Sequence, residues 1–261
     1  MPHMPGNVAF CYPNGIALRV ADIPGAQWQM PDSSVKYPSR SPDSQPKEDD
    51  PELYGWCRLD QLGEHYGMER GFSILAETIK RDGPFDGVVG FSQGAGAAVF
   101  IASLLEAGRQ EAFERCQQAA NGLPYPKCFL NEDGAPIQDP FKFVVSFSGF
   151  HIKDPIYCAF FDPHITTPLV QFIGLWDPMV EESSCLDLVG RFDGQTKIVY
   201  HPGAHFVPTQ ERYASQVAAF IYAAYGHGNP VDGYARETRL VGLRPEVSVP
   251  VSSLSPPEDS S

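Results

Sequence analysis

The chain has 261 residues, 43% of them hydrophobic, which is enough for one large domain with a buried core. Acidic residues outnumber basic ones by 32 to 19, and the formal net charge of −13 argues against a nucleic acid or an anionic membrane surface as the main partner. Cys11, Cys57, Cys116, Cys128, Cys158 and Cys185 form neither a C-x-x-C pair nor a zinc-like spacing, so no metal site is expected and free thiols in a reducing compartment are. No apolar run reaches membrane-spanning length. The start, Met1-Pro2-His3-Met4-Pro5-Gly6, lacks a basic region followed by an apolar core, so no signal peptide is expected and the location read from it is cytoplasmic.

In chain order, residues 7–13 are a strand candidate ended by Pro13-Asn14-Gly15. Residues 26–53 change to Pro, Ser, Asp, Lys and Glu, which reads as a long, solvated, mobile insertion. Tyr54-Gly55-Trp56 brings aromatic content back, as expected where the chain rejoins the core. Phe72, Leu75, Ala76 and Ile79 fall at helical spacing within residues 67–80, and Asp82-Gly83-Pro84 stops that helix.

Residues 85–89 form a short apolar strand that runs into Gly90-Phe91-Ser92-Gln93-Gly94 and then into an Ala- and Leu-rich helix. A strand, a sharp turn bearing serine, and a helix is the context in which Gly-x-Ser-x-Gly means a nucleophile elbow; elsewhere the five residues are an ordinary glycine-rich turn. The small residues from Gly94 to Ala98 would let the helix pack closely on its own strand. Ser92 would then stand at a helix N-terminus, where free N–H groups favour developing negative charge.

Further along, residues 110–120 read as a charged helix, 141–149 as a buried strand, 169–174 as a strand and 181–192 as a helix. Residues 197–200 read as a strand and 210–225 as the last helix. Strand and helix alternate through residues 70–225, which implies a mostly parallel sheet with helices on both faces. The expected organisation is one domain over residues 1–226, with 227–261 a disordered tail carrying no chemistry.

A serine nucleophile needs a base and an orienting acid. Asp177 follows the strand at 169–174 and His205 follows the strand at 197–200, so both project from the same sheet edge as Ser92. The order Ser, Asp, His is the one expected of an α/β-hydrolase. Asp177 before Pro178 could equally start a turn. His201 is the rival to His205, but it ends its strand directly, whereas His205 lies past the Gly203-Ala204 turn. Ser148, before Gly149, lacks the first glycine and the small-residue helix of an elbow.

The stretch from Gly83 to Ala95 resembles the elbow of the FSH (family of serine hydrolases) group of α/β-hydrolases. Ser146-Phe147-Ser148-Gly149-Phe150, Gly174-Leu175-Trp176-Asp177-Pro178-Met179-Val180 and His201-Pro202-Gly203-Ala204-His205-Phe206-Val207-Pro208 match its later blocks in order and spacing. The resemblance covers residues 7–225. The insertion followed by Tyr54-Gly55-Trp56 is similar to the fungal esterase and thioesterase branch, some members of which release acyl chains from polyketide synthases.

The resemblance implies a Ser92, Asp177 and His205 triad, the Gln93 backbone N–H as oxyanion donor, no metal or organic cofactor, and a small or carrier-bound acyl ester or thioester as substrate. One departure stands out. The family begins with an apolar strand ending in His-Gly, whose following loop supplies the second oxyanion donor, and residue 7 corresponds to the family's second strand. A vacancy beside the nucleophile strand is therefore expected, either because the sequence is N-terminally incomplete or because the chain has repacked. The alternatives to a hydrolase are a catalytically impaired binding protein that keeps the triad as a relic, and an acyltransferase using the same residues.

Overall fold

The computed structural model describes Trp56 and residues 67–119 and 122–226 with their side chains, and the backbones of Ala120 and of six short strands between residues 7 and 66. The chain divides into two units, Met1–Asn229 and Pro230–Ser261, and the second lies outside the described residues, as does the expected tail.

The strands are β1 (Asn7–Cys11), β2 (Gln27–Gln29), β3 (Val35–Tyr37), β4 (Leu53–Gly55), β5 (Arg58–Leu59), β6 (His65–Tyr66), β7 (Gly87–Phe91), β8 (Phe143–Phe147), β9 (Leu169–Gly174) and β10 (Thr196–His201). Six of them form one parallel sheet in the order β10-β9-β8-β7-β1-β2. Strands β8 and β9 are buried at every position, which explains why they read as unbroken apolar runs rather than alternations. Strand β10 closes one edge of the sheet and alternates exposed with half-buried residues until His201.

The helices are α1 (Met68–Asp82), α2 (Gln93–Leu104), α3 (Arg109–Ala120), α4 (Glu182–Val189) and α5 (Glu211–Ala224). Phe72, Leu75, Ala76 and Ile79 of α1 are buried in one core with most of α2 and with Val144, Leu169 and Leu188. Tyr213, Val217, Phe220 and Ile221 of α5 pack with Phe143, Val145, Phe147 and Phe172 into a second core. Since Val144 goes to one core and Phe143 and Val145 to the other, the period-two alternation of β8 divides its residues between the faces. The expected parallel sheet covered on both faces is therefore what forms.

Two expectations are corrected. No vacancy lies beside β7, the strand that leads into Ser92: β1 pairs with it in parallel over the register Val8↔Gly87 to Cys11↔Gly90, so the backbone groups of β7 on that side have partners. The residues that follow Cys11, up to Gln27, lie outside the described ones. The polar insertion, in turn, is not structureless throughout. Gln27–Gln29 adds to the sheet beside β1, and Val35–Tyr37 pairs antiparallel with Leu53–Gly55. Backbone pairing needs no apolar side chains on both faces, and at a sheet edge composition is a poor guide to it.

Glu106 and Arg109, just beyond α2, form a buried pair that ties the helices to the loops leading into β9. Arg109 is 1% exposed and donates to Glu106 Oε2 at 3.1 Å, to the Ala159 carbonyl at 3.1 Å and to the Pro163 carbonyl at 2.7 Å. Glu106 Oε1 accepts from the backbone N–H groups of Thr166 and Thr167, at 2.8 Å each, and from both hydroxyls.

Candidate active site

Gly90 has no room for a side chain: a Cβ there would lie 2.3 Å from the Gly94 carbonyl oxygen and 2.5 Å from the Ala95 Cα. The start of α2 can therefore fold tightly back over β7, and the residue between them takes the strain. Ser92 has φ 53° and ψ −123°, a conformation that L residues rarely adopt and that the surroundings must enforce. Its N–H donates to the Phe147 carbonyl at 2.8 Å, and its carbonyl accepts from Ala95 and Gly96 as α2 begins. Ser92 thus caps a helix at the carboxyl edge of the sheet, with its hydroxyl aimed across that edge.

The carboxyl ends of β9 and β10 bring the other two residues to the same place. The Leu175 N–H donates to the His201 carbonyl at 2.9 Å and the Trp176 N–H to that of Gly203 at 3.0 Å, which ties the two following loops together. His205 Nε2 lies 2.9 Å from Ser92 Oγ, and His205 Nδ1 lies 2.8 Å from Asp177 Oδ2. The ring of Phe91, next to the serine, packs against that of His205 at 4.7 Å between centroids. The structure brings Ser92, Asp177 and His205 into one hydrogen-bonded line and leaves His201 out of it. His201 is 2% exposed, sits between the rings of Phe206 and Tyr213, and burial pushes its pKa down.

The Asp177 side chain is 3% exposed, and burial opposes its charge. That opposition is outweighed by His205 at Oδ2 and by the Val180 and Met179 N–H groups, both 2.9 Å from Oδ1, which hold the carboxyl below its ordinary value. Asp177 thus serves a turn and a contact across the sheet edge at once: one oxygen closes the turn and the other faces the histidine. Ser148 adds to this. It is buried with φ 49°, and its hydroxyl also favours the charged form of Asp177 without closing a hydrogen bond of ordinary geometry. The only sequence signal for its position is the glycine that follows.

Gln93 opens α2, where the first N–H groups of a helix have no partner within it. Its side chain has a separate task, since Oε1 accepts the Trp56 N–H at 2.7 Å. Trp56 is 4% exposed and its carbonyl would be 2.7 Å from a Cβ at Gly71, so α1 can approach it only through glycine. Together they wall an apolar cavity of about 180 Å³ whose far side is formed by Phe72, Leu75, Phe100, Phe150 and Ile152. Apart from Gln93, the sequence flagged none of these as site residues, because the cavity arises between helices that are remote in the chain.

Among the described residues no cluster of three or more His, Cys, Asp or Glu could hold a metal ion, and no helix is long and apolar enough to cross a membrane.

A strained serine at a strand-to-helix turn, linked through histidine to a buried carboxylate, is the geometry against which relatives can be compared. The serine hydrolase (FSH1) family model matches residues 4–217. The chain belongs to this family. It is 31% identical over 173 residues to Family of serine hydrolases 3 of Saccharomyces cerevisiae, covering 65% of this chain and 57% of that one. A Schizosaccharomyces pombe protein named dihydrofolate reductase is 31% identical over 172 residues, 66% of this chain but 32% of its own length. Esterase OVCA2 of Bos taurus is 25% identical over 204 residues, covering 72% of this chain and 71% of that protein. The match thus spans about a third of one of the first two relatives and rather more than half of the other. Among solved structures, YahD with malic acid aligns over 86% of this chain and 95% of its own, at 12% identity and a TM-score of 0.50, a likeness of fold alone. That fold is the α/β-hydrolase fold.

Proposed function

We propose that this serine hydrolase cleaves a carboxylic ester or thioester with Ser92 as nucleophile, His205 as general base and acid, and Asp177 as the group that orients and charge-stabilises the imidazole. The observation that carries the reading is the unbroken line of hydrogen bonds, 2.9 Å from Ser92 Oγ to His205 Nε2 and 2.8 Å from His205 Nδ1 to Asp177 Oδ2. Ser92 Oγ attacks the acyl carbonyl carbon while His205 Nε2 takes the hydroxyl proton. The carbonyl oxygen becomes an oxyanion and accepts from the Gln93 backbone N–H at the head of α2, where the helix dipole favours negative charge. The tetrahedral species collapses as the imidazolium returns its proton to the departing alcohol or thiol. Water, deprotonated by the same nitrogen, then attacks the acyl-serine, and the acid leaves with Ser92 regenerated.

The proposal includes carrier-bound thioesters, the chemistry of polyketide release in fungal secondary metabolism, and a cytoplasmic setting. Cys116, Cys128, Cys158 and Cys185 are free, as thiols remain in a reducing compartment. A fluorophosphonate probe, which phosphonylates an activated serine, tests the core of the reading. Wild-type protein is expected to label at Ser92 and Ser92→Ala not to label. A wild-type chain that stays unlabelled while folded would refute it.

A further inference from the structure

Gln93, Gly96, Ala97 and Phe100 lie three, four and seven residues apart and so share one face of α2, and all four line the apolar cavity. Its nearest wall to the nucleophile is Gln93, the residue after Ser92. Glycine inside a helix is disfavoured relative to alanine, so a glycine that packing does not demand calls for another reason. Gly90 and Gly71 are demanded, because a Cβ at either would strike backbone. At Gly96 a Cβ would meet nothing within 4 Å. The space left by the absent side chain is cavity.

We propose that this cavity receives the acyl chain of the substrate and that Gly96 sets the length of chain admitted. The inference rests on the hydrolase reading above and specifies its substrate: an apolar acyl group rather than a small or charged one. The direction of the chain follows from the proton. His205 must protonate the leaving atom, and it reaches Ser92 from the loops after β9 and β10. The described cavity residues come instead from Trp56, α1, α2 and the segment after β8. The leaving group therefore lies on the His205 side and the acyl chain on the other. Size sets the expected length. At about 30 Å³ for a water-sized group, the cavity of about 180 Å³ holds roughly six carbon-sized groups, so a hexanoyl chain fills it.

The test is the ratio of kcat/KM for a hexanoate ester to that for the acetate ester of the same alcohol, measured on the full chain. Burying each added methylene favours the longer chain roughly fourfold, so the wild-type ratio is expected to be on the order of a hundred. Gly96→Leu puts a branched side chain into the cavity and is expected to lower that ratio at least about tenfold. Gly96→Ala adds one methyl where nothing is in the way and favours the helix, so it folds even if the leucine variant does not. Its ratio is expected to drop about fourfold. A wild-type ratio near unity, or a Gly96→Ala ratio equal to wild type, overturns the proposal. Fluorophosphonate labelling separates the two failures: labelled Ser92 with an unmoved ratio sinks the acyl-chain assignment alone, and unlabelled wild type sinks the hydrolase reading with it.

Discussion

Asp177 and His201, from the ends of the neighbouring strands β9 and β10, both have buried side chains, with opposite consequences for their charge. Burial works against the charge of Asp177, but His205 and two backbone N–H groups outweigh it, so the carboxyl stays ionised and can orient the imidazole. His201 has rings around it, and burial lowers its pKa from 6.5 although the charge of Asp177 pulls the other way. His151 is likewise lowered by burial. A histidine whose folded pKa is depressed binds fewer protons folded than unfolded as pH falls below its ordinary value. The unfolded chain then gains protons that the folded one refuses, so this contribution to stability is complete above about pH 6.5 and is lost as pH falls toward the folded value. In His201→Phe, whose ring suits the same aromatic surroundings, the urea midpoint should shift less between about pH 8 and about pH 5 than in wild type. An equal shift in the two proteins would show that His201 does not titrate differently on folding.

At the scale of the elements, the elbow stores strain in one residue so that a hydroxyl can stand clear of the sheet. Ser92 at φ 53° carries a backbone cost of roughly 1–3 kcal/mol, which glycine would largely avoid. Comparison with Ser92→Ala removes the hydroxyl from both sides of the account. Ser92→Gly is expected to be about 1 kcal/mol more stable than Ser92→Ala in chemical denaturation, with hydrolysis abolished in both. An alanine variant as stable as the glycine one would mean that the turn is unstrained. The elbow was legible in the sequence because its requirements are local: two glycines, a serine and a run of small residues. The three strand ends were legible too, since apolar runs and the turns after them place Asp177 and His205 without any knowledge of packing. What escaped was non-local. The Gln27–Gln29 strand owes its existence to the neighbouring β1, the vacancy beside β7 is filled by that same β1, and the cavity depends on α1 meeting α2 through Gly71.

For the molecule as a whole, the least expected feature is a charge pair inside it. Residues 110–120 read as a charged helix, yet Arg109, where the helix starts, is almost fully buried and Glu106 is 7% exposed. Sequence gives no sign of this, because an arginine at a helix start looks the same whether it faces water or three carbonyl and carboxylate oxygens. Removing two charges from water is costly, and burial does press the Arg109 pKa down, with Glu106 opposing it. The pair is held by geometry: the guanidinium bonds three acceptors on separate segments, and one carboxylate oxygen gathers four donors from Thr166 and Thr167. It therefore joins the end of α2, the start of α3 and the chain entering β9, whose far end carries Asp177. Arg109→Ala would leave the Glu106 charge buried without its cation and two carbonyls without their donor, at a cost of about 3–5 kcal/mol. Adding Glu106→Gln to that variant removes the stranded charge, so the double variant should lose markedly less than the sum of the two single losses in urea denaturation. Strict additivity would show that the two side chains act independently, and the account of them as one buried unit would fall.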